Sequence, residues 1–201
     1  VSALQLGLFA SGEAAVFAGA TIERTDLGGG AWVELRRGWL RGADTLCQDL
    51  ISCVPWRHHR RWMYERYVDE PRLSCWYDRG SELPDGALEM AGDRLERLYA
   101  VPLAGPGLNF YRDGRDSVAF HADRELKHLD DTVVAIVTLG ATRPFLVRPR
   151  GGGRSLDFRP ASGDLLVMGG ACQALFEHAV PKTAASGPRV SASWRWAHQP
   201  A

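Results

Sequence analysis

The spacing of hydrophobic positions changes character partway along the chain. Leu46, Leu50, Ile51 and Val54 recur at helical spacing, Asp44 stands where an N-cap is expected, and Pro55 closes the segment. A second stripe of Leu88, Ala91, Leu95 and Leu98 predicts a helix over Ala87–Tyr99, with acids and arginines on its other side. Both stripes read as packing faces, so the two helices are expected to brace the outside of a sheet. Between and before them the chain is extended in short pieces. Ala31–Leu35 follows the turn Gly28-Gly29-Gly30 and alternates weakly, as an edge strand would.

From Val101 onward the period is two, in short runs separated by turn signals. Thr132–Leu139 is rich in β-branched residues and apolar enough for burial on both faces. Arg148–Arg154 holds three consecutive glycines and reads as a flexible hairpin loop. Pro160–Asp164 turns the chain into the strand Leu165–Met168, and Leu175–Val180 is a further strand ended by Pro181. The last strand, Arg189–Trp196, alternates cleanly. Arg189, Ser191, Ser193 and Arg195 share one face; Val190, Ala192, Trp194 and Trp196 share the other. The expected fold is mainly β with flanking helices, its core an all-β sandwich or jelly roll. Residues 1–100 form an N-terminal extension and residues 101–201 the core, within one structural domain.

Composition narrows this only a little. A chain of 201 residues can bury a sizeable core. Equal counts of 24 basic and 24 acidic residues argue against a wholesale polyanion binder and leave room for a local basic patch. All the basic residues but Lys127 and Lys182 are Arg. Codon bias of a GC-rich genome is the first reading of that and a phosphate-binding surface the second. Trp56–Tyr67 interleaves basic residues with aromatics, which suits phosphates and stacked bases but equally a solvated edge strand. His58 and His59 point to opposite faces of any strand, so they cannot serve one metal. Cys47, Cys53, Cys75 and Cys172 form no C-x-x-C pair and are expected as reduced thiols. With no signal-like start and no membrane-length apolar run, the chain reads as a cytoplasmic monomer that does not engage a membrane.

The chemistry sits in the second half. In His121-x-Asp123 an imidazole and a carboxylate two residues apart on a strand project to one face. His178 completes a two-His-one-carboxylate set, which suits Fe(II) with open coordination positions. A diacid chelating that iron through a 2-oxo acid end needs a cation at its far carboxylate, and the fork of Arg189 matches one. Arg195 lies further along the same face, and the two Arg side chains can lean together around a five-carbon diacid. Asn109 and Tyr111 share a strand face and offer neutral donors. Taken singly, each feature has a plainer reading: a surface His beside an acid, a core His178, a solvent-facing polar strand.

Together, Asn109-x-Tyr111-x-Asp113-Gly114, His121-x-Asp123, Gly163-Asp164, His178 and the closing Arg189–Arg195 run resemble the AlkB-like 2-oxoglutarate and iron(II)-dependent dioxygenases, from about residue 68 to the end. The resemblance implies a double-stranded β-helix that uses Fe(II), 2-oxoglutarate and O2. It places His121, Asp123 and His178 on the metal. Arg189 pairs with the distal carboxylate of 2-oxoglutarate, Arg195 lies by the chelating one, and Asn109, Tyr111 and Ser191 line the cosubstrate. Ser191 stands where the family usually has Asn. Glu125, Arg72, Trp76 and Tyr77 are implied to meet substrate, with Pro71–Tyr77 leading into a nucleotide-recognition lid. That lid is short and polar over Asp78–Leu83 and has no aromatic. The implied reaction removes N-methyl lesions from bases of alkylated single-stranded DNA or RNA, with release of formaldehyde, succinate and CO2. The alternatives are the same chemistry on tRNA, a protein side chain or a small metabolite, and a non-catalytic jelly-roll binding module.

Overall fold

A computed structural model describes residues 13–63 and 65–197. Strand β1 (Ala15–Val16) is followed by β2 (Thr21–Gly28), β3 (Ala31–Arg37), β4 (Leu40–Arg41) and helix α1 (Ala43–Cys53). Next come β5 (Arg57–Met63), β6 (Arg66–Trp76) and α2 (Gly86–Tyr99). The second half runs β7 (Ala104–Tyr111), β8 (Val118–His121), β9 (Thr132–Gly140), β10 (Leu146–Pro149), β11 (Leu156–Asp157) and β12 (Leu165–Gly170). A short α3 (Cys172–Leu175), then β13 (Phe176–Val180) and β14 (Arg189–Ala197), complete it.

The strands build an eight-stranded sheet in the order β2-β3-β12-β9-β14-β7-β6-β5 and a four-stranded sheet in the order β11-β10-β13-β8. Every pairing is antiparallel. Apolar side chains from both sheets, among them Val134, Ile136, Val147, Leu166 and Val180, form one core cluster, which is the interior of the jelly roll. A second cluster lies on the other side of the large sheet, where Leu46, Leu50, Leu88 and Leu95 of the helices meet Val137, Leu139, Val190 and Trp194. Strand β9 serves both, which explains its unbroken apolar run. The helices brace the outside of the sheet, as their stripes predict.

Three differences from the sequence reading have local causes. Asp44 is not the N-cap of α1; Gly42 occupies that position at φ 69°, and no side chain caps the helix. The Asp44 carboxylate instead accepts the Ser162 hydroxyl at 2.5 Å, from within the first turn where the helix dipole favours an anion. Strand β3 is not an edge: β2, whose sequence hardly alternates, pairs along it and leaves Ala31, Val33 and Leu35 buried. Leu175 ends α3 rather than opening β13. The polar face of β14 looks inward, as the site reading of that face expects and its plainer solvent-facing reading does not, with Arg189 only 1% exposed.

Strand β5 is a true edge strand, and Arg57, His58, His59 and Arg60 are exposed on it. Trp56 instead packs back, its indole N–H donating to the carbonyls of Leu50 and Ile51. The side chains of Arg61 to Tyr64 and of Arg66 to Val68 lie outside the described residues. All four cysteines are free, and burial pushes the Cys47 thiol up to about 11 and that of Cys172 to about 12. No helix among the described residues is long and apolar enough to cross a membrane.

The Gly163-Asp164 pair is a structural joint. Asp164 is buried and its carboxylate accepts from the Gly38 and Ala161 amides, both at 2.8 Å, and from Arg37 at 2.9 Å. Gly163 holds φ +83°, and a Cβ there would lie 2.3 Å from the Leu40 carbonyl oxygen. Gly163→Ala is therefore expected to destabilise the fold by about 1–3 kcal/mol in denaturant unfolding, from backbone strain and a clash with main chain.

Candidate metal centre

Two ligands face each other across the small sheet. His121 closes β8 directly opposite His178 on β13, with ring centroids 4.3 Å apart. Asp123 follows two residues beyond the strand end, and one donor atom from each of the three lies within 4.8 Å of the others. They form the one group of three or more metal-ligating side chains among the described residues. His121 Nδ1 is 2.9 Å from the Ala119 carbonyl, so that nitrogen carries the proton and Nε2 is left to ligate. His178 stacks on Phe145 at 5.6 Å, and burial, reinforced by His121, pushes its pKa down to about 3. It is therefore neutral, as a ligand must be. Burial works against the Asp123 carboxylate, but the Arg195 guanidinium at 2.6 Å outweighs it and holds its pKa below the ordinary value. Two imidazole nitrogens and one carboxylate oxygen are the donor set for Fe(II) with coordination positions to spare.

The neighbouring pocket is cationic. Arg189 lies opposite Tyr111 of β7 and Gly140 of β9, while Ser191 lies opposite Asn109. One Arg189 nitrogen, Nη2, donates to Thr138 Oγ1 at 3.2 Å; Nε and Nη1 are buried without a partner. The guanidinium carbon is 5.2 Å from the centre of the Tyr111 ring, and burial pulls the pKa of Arg189 down. A buried cation with unused N–H groups is costly unless an anion meets it. A carboxylate supplies the missing charge and can accept from the guanidinium along one of its edges. Asn109 accepts from Arg72 Nε at 2.9 Å through its amide oxygen, which leaves its NH2 to donate. The chain's residues thus fit both Fe(II) and a dicarboxylate.

Arg195 does not lean toward Arg189. Its Nε is committed to Asp123 and its Nη1 donates to Ser193 Oγ at 3.2 Å, and that hydroxyl donates to the Gly107 carbonyl at 2.9 Å. An irregularity in the β14–β7 pairing between Ser193 and Arg195 accompanies this divergence. Arg195 orients and neutralises a metal ligand.

Of the residues implied for substrate, Trp76 stands at the mouth. It is 50% exposed, its ring lies over Gly107 and 5.5 Å from the Arg195 guanidinium, and its N–H donates to Asp78 at 3.2 Å. Arg72 turns inward to Asn109 and ion-pairs with Glu70 at 3.2 Å. Tyr77 packs against the helix-side core and not at the mouth. Glu125 is exposed in the turn after Asp123, beyond the end of β8 at His121.

Three residues were missed by the sequence reading. Thr138 is hidden within the apolar run of β9. Arg143, 1% exposed, donates to the carbonyls of Asp113, Asp116 and Pro181 and so ties the loop after Tyr111 to the end of β13. In the sequence it is one Arg in a turn. Gln173 accepts from the Asp123 amide. A cleft between α1 and α2, lined by Leu46, Asp49, Asp85 and Met90, holds none of these groups.

Comparison with known proteins agrees with this geometry. Residues 77–195 match the 2OG-Fe(II) oxygenase superfamily, and the chain belongs to that family. Within it the chain is AlkB-like. It is 31% identical over 180 residues to the mouse alpha-ketoglutarate-dependent dioxygenase alkB homolog 3, covering 78% of this chain and 62% of that protein. The human protein of the same name is 29% identical with the same coverage. The chain thus spans about three fifths of the length of these relatives. Its fold also matches a Trichoplax adhaerens prolyl hydroxylase, solved in complex with a hypoxia inducible factor oxygen degradation domain peptide fragment. The TM-score is 0.59 at 11% identity, over 77% of this chain and 76% of that one.

Arg189→Met should move two measurements in opposite directions. Without ligand, removing an uncompensated buried charge should raise stability by about 1–4 kcal/mol in thermal or denaturant melts. Binding of 2-oxoglutarate should weaken by about 100-fold or more in anaerobic titration, since a charge-assisted fork contributes several kcal/mol.

Proposed function

We propose that the protein is an Fe(II)- and 2-oxoglutarate-dependent dioxygenase that removes N-methyl and other small N-alkyl groups from nucleobases of single-stranded DNA or RNA. The observation that carries the oxygenase reading is the His121, Asp123 and His178 donor group together with the buried Arg189, whose guanidinium has two unpartnered nitrogens and which shares the inward face of β14 with Arg195, the partner of Asp123. The AlkB-like sequence supports the nucleobase reading.

When bound, iron supplies O2 activation that couples decarboxylation of 2-oxoglutarate to succinate and CO2 with oxidation of the N-methyl carbon, which leaves as formaldehyde. The chain's residues do the holding. His121 and His178 present imidazole nitrogens and Asp123 a carboxylate oxygen, which Arg195 keeps ionised and aimed. Arg189, with Thr138 and Tyr111 around it, receives the far carboxylate, and the Asn109 amide donates to the cosubstrate. Trp76 offers a half-exposed π-face at the mouth on which a base can stack. Strand β5, beside β6, presents Arg57, Arg60, His58 and His59 to solvent, where a phosphate backbone can run. The segment between β6 and α2 is short and polar, which suits a substrate that arrives already unpaired.

A mass-spectrometric panel of methylated single-stranded DNA, duplex DNA and tRNA tests this. Expected are formaldehyde, succinate and restored base, with single strands the best substrates and turnover falling as salt rises. His121→Ala and Asp123→Ala should abolish turnover of 2-oxoglutarate; retained turnover would remove the metal assignment. Succinate formation without any demethylated nucleic acid would move the substrate to a protein side chain or a metabolite.

A further inference from the structure

We propose that Gln173 is a positioning residue for the metal centre, because it holds the main chain of Asp123 where the sheet does not. The inference rests on the metal reading above. In a regular His-x-Asp strand, the ladder fixes both ligands. Here the β8–β13 pairing runs from Val118 with Val180 to His121 with His178, and β8 ends there. Asp123 lies two residues past the last ladder pair, yet it is only 9% exposed, so its amide N–H needs a partner. That partner is Gln173 Oε1, at 2.8 Å and across 50 residues of chain. The Asp123 carbonyl is held by the following turn, where it accepts from the Leu126 amide at 2.9 Å.

The placement of Gln173 makes the bond consequential. It is 1% exposed and sits in α3, the one-turn link between β12 and β13, and His178 follows five residues later on β13. Its own carbonyl accepts from Arg150 Nη2 at 3.1 Å, which anchors the link from the β10 side. Its NH2 meets only the Met168 thioether, at 3.9 Å, so the strong bond of this amide is the one to Asp123. Gln173 therefore ties the arm that carries His178 to the arm that carries Asp123, and it sets the separation of two ligands before metal arrives. Groups that orient a ligand without touching the metal typically matter 10–100-fold in affinity.

Gln173→Met keeps length and bulk and removes the acceptor; Gln173→Glu keeps an acceptor oxygen. Anaerobic Co(II) titration of the full chain, read by visible absorption, is expected to show affinity lowered about 10–100-fold in Gln173→Met and largely kept in Gln173→Glu. Amide exchange followed by NMR on the metal-free protein should show Asp123 protected in the wild type and exposed in Gln173→Met, with β9 and β14 unchanged. The wild-type exchange measurement needs no variant to fold, and an unprotected Asp123 amide would overturn the proposal. Co(II) affinity in Gln173→Met within twofold of wild type would also overturn it while leaving the metal site standing. A wild type that binds no Co(II) would remove the metal reading and this inference with it.

Discussion

The charged pair of Asp123 and Arg195, 2.6 Å apart and mostly out of water, is the contact on which the two halves of the site depend. One partner follows the small sheet and the other belongs to the large one. Neither charge is tolerable alone at that depth, so the pair sets both the ionisation of the ligand and its direction. Around it the interior of the jelly roll departs from the usual rule that sandwiches bury apolar faces. The inward row of β14 is polar from Arg189 to Arg195, and three of its four members are matched by a neighbour: Thr138 for Arg189, Gly107 and Arg195 for Ser193, Asp123 for Arg195. The two Arg189 nitrogens without a match mark where the protein waits for a ligand.

That waiting charge carries a cost the rest of the fold must absorb. It is absorbed on the opposite face of the same strand, where Val190, Ala192 and Trp194 join the helix-side core. Helices α1 and α2 thus take no part in the chemistry and still make it possible, since their apolar stripes supply the burial that lets β14 keep a polar face inside. Arg143 plays a similar part at the cosubstrate end by gathering carbonyls from two loops around Tyr111.

Local periodicity was a good guide where one strand or helix decides its own pattern. The two helices, the doubly buried β9 and the alternation of β14 are all legible in the sequence, and so are His121, Asp123, His178 and Arg189. What local pattern cannot supply is the partner. The sequence of β14 does not say which face meets water, and only the sheets packed around it turn Arg189 inward. The sequence of β3 looks like an edge because its cover, β2, scarcely alternates. Asp44 looks like a cap, but a glycine took the turn and Ser162, far along the chain, took the carboxylate. Gln173 and Arg143 carry no motif at all, because their roles are bonds to backbone atoms of distant loops. The likeness to AlkB-like enzymes implied substrate contact for both Trp76 and Tyr77; Trp76 is half-exposed, whereas Tyr77 packs on the helix-side core.

The division of the site between sheets has a further consequence. His121 and His178 belong to the four-stranded sheet, and Arg189 and Arg195 to the eight-stranded one. A metal held by the first and a dicarboxylate held by the second would act as a clasp across the sandwich. Loading is then a folding term as well as a catalytic one. Ligands bound only when the sheets are closed add to stability in proportion to the logarithm of their saturation. Closure of the two sheets and occupancy of such a site would then rise and fall together.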